Sequence, residues 1–240
     1  MAAPLSPGNL REAVDREGFA IVESVVRPAD VEALARAIAE AGTEAWVRRR
    51  ERDAFGIRNL LTAVPLVRRY ASEGPMLEIA SAVLGPGARP VKGLFFDKTS
   101  GANWKVPWHQ DLTVCVRERR DVPGFGPWSR KLGLHHVQPP TEVLSGILAL
   151  RLHLDDAGPE HGALKVIPGS HRQGRLDSLR IEHLCGSAPA VVCPVPVGGV
   201  MAMRPLLLHS SSPCLRPGHR RVVHIEYAAF ELPGGLEWSG

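Results

Sequence analysis

The sequence predicts a mainly β domain, a sandwich or barrel preceded by helices. Two observations carry this reading. From residue 90 onward, short β-rich segments alternate with Gly/Pro turns. The stretch before it instead carries apolar residues at helical spacing. No internal repeat or low-complexity linker divides the 240 residues, so a single domain over 1–240 is expected.

In chain order, Gly18–Val22 reads as a short strand. Pro28 suits a first helical turn, and Val31, Leu34, Ala35 and Ile38 repeat at helical spacing over 29–41, with Gly42 as the stop. A second helix is expected over 75–84, ended by Gly85-Pro86-Gly87. Strands are expected at 91–98, 106–116, 145–154, 164–167, 190–197, 200–203, 206–210 and 221–230. Residues 117–141 hold four prolines and three glycines and read as a long loop, a lid by its place after the metal motif described below.

Composition narrows the function. Hydrophobic residues make up 44% and charged residues 22%, the balance of a globular protein with a real core. Twenty-nine basic against 25 acidic residues give a net charge of +4. The arginines are scattered and aromatics are only 5%, unlike the basic, aromatic-laced stripe of a nucleic-acid binder. No apolar run reaches the roughly 18 residues of a membrane span. The first ten residues lack the pattern of a secretory signal, so a cytoplasmic location is expected. The four cysteines form no CxxC pair and are expected to be reduced thiols, not zinc ligands.

Trp108-His109-Gln110-Asp111 is the most informative stretch. On an extended backbone His109 and Asp111 point the same way, so both can grip one ion. An HxD alone is also an ordinary polar pair. His209 strengthens the metal reading, because it ends the apolar run 206–208 and begins a polar turn. Two histidines and one carboxylate form the facial triad of non-haem Fe(II) oxygenases, which leaves positions for a 2-oxo acid and O2. Arg220, eleven residues after His209, offers a planar fork for a distal carboxylate, or is a surface arginine on an edge.

These residues resemble the phytanoyl-CoA dioxygenase family, which includes ectoine hydroxylase. WHQD at 108–111 is similar to its first metal motif. The run 162–172, GALKVIPGSHR, resembles its central signature. His209-Ser210-Ser211 with Pro213, Arg220 and Tyr227 resembles its distal segment, and the likeness covers nearly the whole chain. The resemblance implies a double-stranded β-helix, a cupin-like jelly roll with N-terminal helices packed on one sheet. It implies His109, Asp111 and His209 as iron ligands. Arg220 and Ser211 then hold the far carboxylate of 2-oxoglutarate. Cys214 stands where the family often has Asn, and His171 falls in a structural turn.

Further candidates stay open. Ile147–Leu154 alternates, so Arg151 faces the barrel if the leucines pack on the helices, and is surface otherwise. Lys92 shares a face with Leu94, Phe96 and Lys98 and either lines the pocket or is solvated. His135-His136 is either a solvated loop pair or a substrate contact. The implied activity is an Fe(II)/2-oxoglutarate dioxygenase that hydroxylates a small organic substrate, releasing succinate and CO2. Asp111 fills the position that related halogenases leave open for chloride. The alternatives are a non-catalytic jelly-roll binding protein and a zinc enzyme. Lys92, Lys105, Arg117 and Arg151 suggest an anionic substrate if they gather at the mouth.

Overall fold

The computed structural model describes residues 7–41, 47–50, 53–216 and 218–240. The N-terminal part comprises α1 (Pro7–Glu17), β1 (Phe19–Val22), α2 (Pro28–Glu40), β2 (Val47–Arg50) and β3 (Asp53–Arg58). Helices α3 (Leu60–Ala63), α4 (Pro65–Ser72) and α5 (Pro75–Leu84) complete it. Next come β4 (Arg89–Lys98), β5 (Val106–His109), β6 (Val114–Val116), β7 (Trp128–Lys131), β8 (Leu134–Val137) and α6 (Thr141–Ser145). The last part holds β9 (Leu148–His153), β10 (Leu164–Val166), α7 (Ser178–Ser187), β11 (Val191–Cys193), β12 (Val200–Met203), β13 (His209–Ser211) and β14 (Arg220–Ala228).

The strands make an antiparallel double-stranded β-helix. A large sheet runs β1-β12-β9-β14-β4-β3-β2, and a smaller one runs β11-β10-β13-β5. Side chains alternate across the large sheet, and the two faces have different partners. Leu148, Leu150 and Leu152 of β9 join Val223, Ile225 and Tyr227 of β14 in the core beneath the helices. Val31, Leu34 and Ile38 of α2 are buried in the same core, at the spacing the sequence shows. Tyr227 donates its hydroxyl to Ala71 O at 2.9 Å, which ties α4 to the sheet. The leucine face of β9 is therefore the helix face, and Arg151 points between the sheets. Gly42, expected to end α2, lies outside the described residues.

Three expectations are corrected. Residues 117–141 are not a plain loop. β7 and β8 form a hairpin that pairs with β6 in a third sheet. Its two-residue turn, Leu132-Gly133, has φ of 51° and 83°, the positive angles that match hairpin twist. Leucine is an unusual residue there, so the turn carries no sequence signal. The run 206–208 is not strand either. Leu206, Leu207 and Leu208 are each buried, and each enters a different apolar cluster. The strand begins only at His209.

The expected strand 106–116 splits into β5 and β6, which belong to different sheets. The break follows from Gln110, which is buried. Its amide donates to Leu206 O at 2.7 Å and to Gly174 O at 2.8 Å, and accepts from Leu176 N at 2.8 Å. Asp111 N donates to Pro205 O at 2.9 Å. The chain between β5 and β6 is thus bonded to remote backbone instead of a neighbouring strand. Replacing Gln110 with Leu removes the side-chain partner of three backbone groups, those of Leu206 and Leu176 buried and that of Gly174 partly so. The expected cost is about 3 kcal/mol or more, read as a lower urea midpoint, with weaker metal binding. An unchanged midpoint would show that these bonds do not hold the segment.

Candidate metal centre

Strand pairing places the first two ligand candidates. β13 and β5 are antiparallel neighbours, and His209 lies directly opposite His109. Their ring centroids are 4.2 Å apart. His109 Nδ1 is 2.9 Å from Pro107 O, and His209 Nδ1 is 2.8 Å from Leu207 O. A carbonyl only accepts, so each Nδ1 carries the proton and each Nε2 keeps its lone pair. Both Nε2 atoms face Asp111, one 3.8 Å from Oδ1 and the other 3.8 Å from Oδ2. The three ligand atoms lie within 4.8 Å of one another.

Protonation suits a metal. Burial pushes His209 down to about 4, which keeps it neutral at neutral pH. Burial pushes the Asp111 carboxyl up, but His209, His224, His109 and Lys92 outweigh it and hold it below the usual carboxylate range. Two imidazoles that present Nε2 and one ionised carboxylate are the donor set of a non-haem Fe(II) site with open positions. The carbonyl bonds to Nδ1 are the outer contacts that orient metal-binding histidines.

A chamber of about 210 Å³ adjoins this cluster, lined among others by Arg151, Ser211, Arg220 and His224. Arg220 is buried. Its Nη1 donates to Gly162 O at 2.6 Å and to Ser211 Oγ at 3.3 Å. Ser211 Oγ donates to Gly162 O at 2.9 Å and accepts from Lys98 Nζ at 2.7 Å. Arg151 donates from Nη1 to His224 Nδ1 at 3.2 Å. Among the described residues, Nε of Arg151 and Nε of Arg220 are buried without a hydrogen-bond partner. Burial, and then the Arg220 and Arg151 cations, push Lys98 down to about 7. Burial and Arg220 push Arg151 down to about 10. Two buried guanidiniums with unpartnered Nε–H groups fit a carboxylate-bearing co-substrate.

Of the seven site residues named from sequence, His109, Asp111, His209, Ser211, Arg220 and Arg151 line this chamber. Lys92 does not. It lines a second chamber of about 370 Å³, which also holds Arg58, Lys131 and His136. The two chambers share Asp111 along with Leu94, Phe96 and Trp104. Lys92 is buried, and its Nζ lies 2.6 Å from Glu226 Oε1. Lys98, His224 and Glu226 were not singled out from sequence. Stepping by two along β14 from Arg220 reaches His224 and Glu226, and stepping along β4 from Lys92 reaches Lys98. That periodicity was the available signal. His171 turns away, with Nε2 3.1 Å from Asp15 O.

Residues 14–222 match the family described as Phytanoyl-CoA dioxygenase (PhyH). No curated protein matches the chain by sequence. Among solved structures, AviO1 from Streptomyces viridochromogenes Tue57 is 25% identical, with a TM-score of 0.65 over 97% of this chain and 98% of that one. SnoK, a non-heme alpha ketoglutarate dependent carbocyclase from nogalamycin biosynthesis, is 17% identical, with a TM-score of 0.71 over 95% and 87%. EctD from S. alaskensis, solved with 2-oxoglutarate and 5-hydroxyectoine, is 19% identical, with a TM-score of 0.69 over 91% and 74%. The family match spans most of the chain and meets the donor set just described. The chain therefore belongs to the phytanoyl-CoA dioxygenase family and is a non-haem iron, 2-oxoglutarate-dependent dioxygenase that uses O2.

Proposed function

We propose that the chain hydroxylates a small anionic molecule, with iron held by His109, Asp111 and His209. Arg220, Ser211 and Lys98 hold the far carboxylate of 2-oxoglutarate, and Arg151 contributes from β9. One observation carries this reading. Two guanidinium Nε atoms are buried without partners in the chamber that contains the three ligand candidates. Iron held there would let O2 act as the oxidant, one oxygen atom entering succinate as 2-oxoglutarate loses CO2 and the other entering the substrate C–H bond.

The side chains divide the remaining work. His109 and His209 present their Nε2 lone pairs because Nδ1 is committed to backbone. Asp111 belongs to both chambers, so a substrate in the larger one would lie beside the ion that Asp111 would help to hold. Leu94, Phe96 and Trp104 line both chambers and limit water at the centre. Asp111 would fill the coordination position that related halogenases leave open for chloride, which would favour oxygen transfer. A cytoplasmic setting, where thiols stay reduced, suits the four free cysteines. Among the described residues, no helix is long and apolar enough to cross a membrane.

Of the four cations first named for an anionic substrate, only Lys92 lines the larger chamber. Arg117 pairs with Glu237 at 2.8 Å on the surface, and Lys105 is exposed and does not line the substrate chamber. Arg151 faces the other chamber. The cations of the larger chamber are Arg58, Lys92 and Lys131. Lys131 comes from β7, so the hairpin supplies one wall and selects substrate there. A volume of about 370 Å³ suits a small or medium-sized ligand.

The reaction is tested by succinate release from Fe(II)-loaded protein. His109→Ala and His209→Ala are expected to abolish it. Arg220→Ala is expected to raise KM for 2-oxoglutarate roughly 30-fold or more, the scale of a lost buried ionic contact. Full turnover by either histidine variant, or an unchanged KM, would refute the assignment.

Substrate charge is tested with a free acid and its amide, compared by kcat/KM at low and moderate salt. The acid is expected to be preferred, and the preference to shrink with salt and in Lys131→Glu. Equal turnover of both forms, independent of salt, would mean that shape alone selects.

A further inference from the structure

Strand register aligns four buried polar side chains on the inner face of the large sheet. Arg151 of β9 lies directly opposite His224 of β14, and Lys92 of β4 lies directly opposite Glu226 of β14. His224 and Glu226 are two residues apart and share a face. All four are at most 8% exposed. Such groups are expensive to bury, and an apolar face would hold the sheets together as well.

The contacts run in one direction along this line. Lys92 Nζ bonds Thr113 O at 3.1 Å and Glu226 Oε1 at 2.6 Å. Glu226 Oε1 is 3.5 Å from His224 Nε2. Arg151 Nη1 only donates, so His224 Nδ1 accepts at 3.2 Å and the imidazole proton sits on Nε2, toward Glu226. That contact is long for a hydrogen bond, and His224 Nε2 has no other partner among the described residues. Glu226 is thus drawn to Lys92 and stands back from His224. One end of the line, Lys92 with Thr113, lines the substrate chamber. The other end, Arg151, lines the chamber of the metal ligands.

We infer that Lys92, Glu226 and His224 are positioning residues that set Arg151, and so couple the substrate chamber to the 2-oxoglutarate chamber. This rests on the proposed role of the Arg151–Arg220 chamber as the 2-oxoglutarate site. A substrate anion that engages Lys92 loosens its hold on Glu226. Glu226 then closes the 3.5 Å gap to His224. A fixed His224 in turn fixes Arg151. By linkage, 2-oxoglutarate favours the same arrangement from its own side.

The test needs no knowledge of the substrate. 2-Oxoglutarate is titrated into the whole chain loaded with redox-inert Mn(II), and Kd is read at equilibrium. The paired variant Lys92→Met/Glu226→Gln removes one positive and one adjacent negative charge. Net charge is unchanged, and no buried ion is left alone. Residue 226 is then free of the lysine and its amide oxygen still accepts from His224 Nε2, so 2-oxoglutarate binding is expected to tighten about five-fold, with no effect when Arg151→Gln is already present. His224→Phe, which keeps a ring and removes both contacts, is expected to weaken binding instead, and likewise to have no effect with Arg151→Gln. It decides the matter if the paired variant does not fold. An unchanged Kd in these variants, or a change that persists with Arg151→Gln, would overturn the relay. Wild-type protein that binds no 2-oxoglutarate, or binds it equally well after Arg220→Ala, would overturn the function beneath it.

Discussion

The antiparallel pairing of β13 with β5 is the constraint on which the centre depends. It sets His209 opposite His109. A one-residue slip would turn one of them to the other face of the sheet. The same backbone fixes the tautomers, since Pro107 O and Leu207 O each take an Nδ1 proton. The third ligand candidate lies just past β5, where the chain leaves the sheet. Gln110 and the Asp111 amide hold that departure against Gly174, Pro205, Leu206 and Leu176. The positions of the three ligand candidates are therefore set by strand pairing and by the bonds of Gln110 and the Asp111 amide.

The large sheet does the opposite work on its two faces. Its outer face is apolar and packs under the helices. Its inner face carries Lys92, Lys98, Arg151, Arg220, His224 and Glu226, all buried. Such a face costs stability, and the apolar outer face compensates. The arrangement also separates charges by chamber. Arg151 and Arg220 line the chamber of the ligand candidates and Lys98 bonds its Ser211, whereas Lys92 has its own buried counter-ion. Asp111 lies where the chambers meet.

Much of this was legible because local pattern and final environment agree. The alternation in Ile147–Leu154 states in advance that Arg151 faces inward if the leucines meet helices, and they do. The helical spacing over Val31–Ile38 buries the residues it should. The short strands between turns led to a β architecture, and the motif likeness led to its topology. What escaped the sequence depends on distant partners. Val106–Val116 reads as one strand because the side-chain bonds that interrupt it reach 64 to 96 residues away. Leu206–Leu208 reads as strand because three adjacent cores each want an apolar residue. Lys92 reads as a free cation because Glu226 is 134 residues distant. The hairpin is hidden by a leucine at a positive φ.

The central claim is that one metal ion and one dicarboxylate share the chamber between His109, Asp111, His209 and Arg220. A crystal structure of the protein grown anaerobically with Mn(II) and 2-oxoglutarate tests it most directly. The account predicts one anomalous peak about 2.0–2.2 Å from both Nε2 atoms and an Asp111 oxygen, with the far carboxylate paired to Arg220 and Ser211. An ion bound elsewhere, or a carboxylate seated on Arg58 and Lys131 with Arg220 left bare, would contradict it.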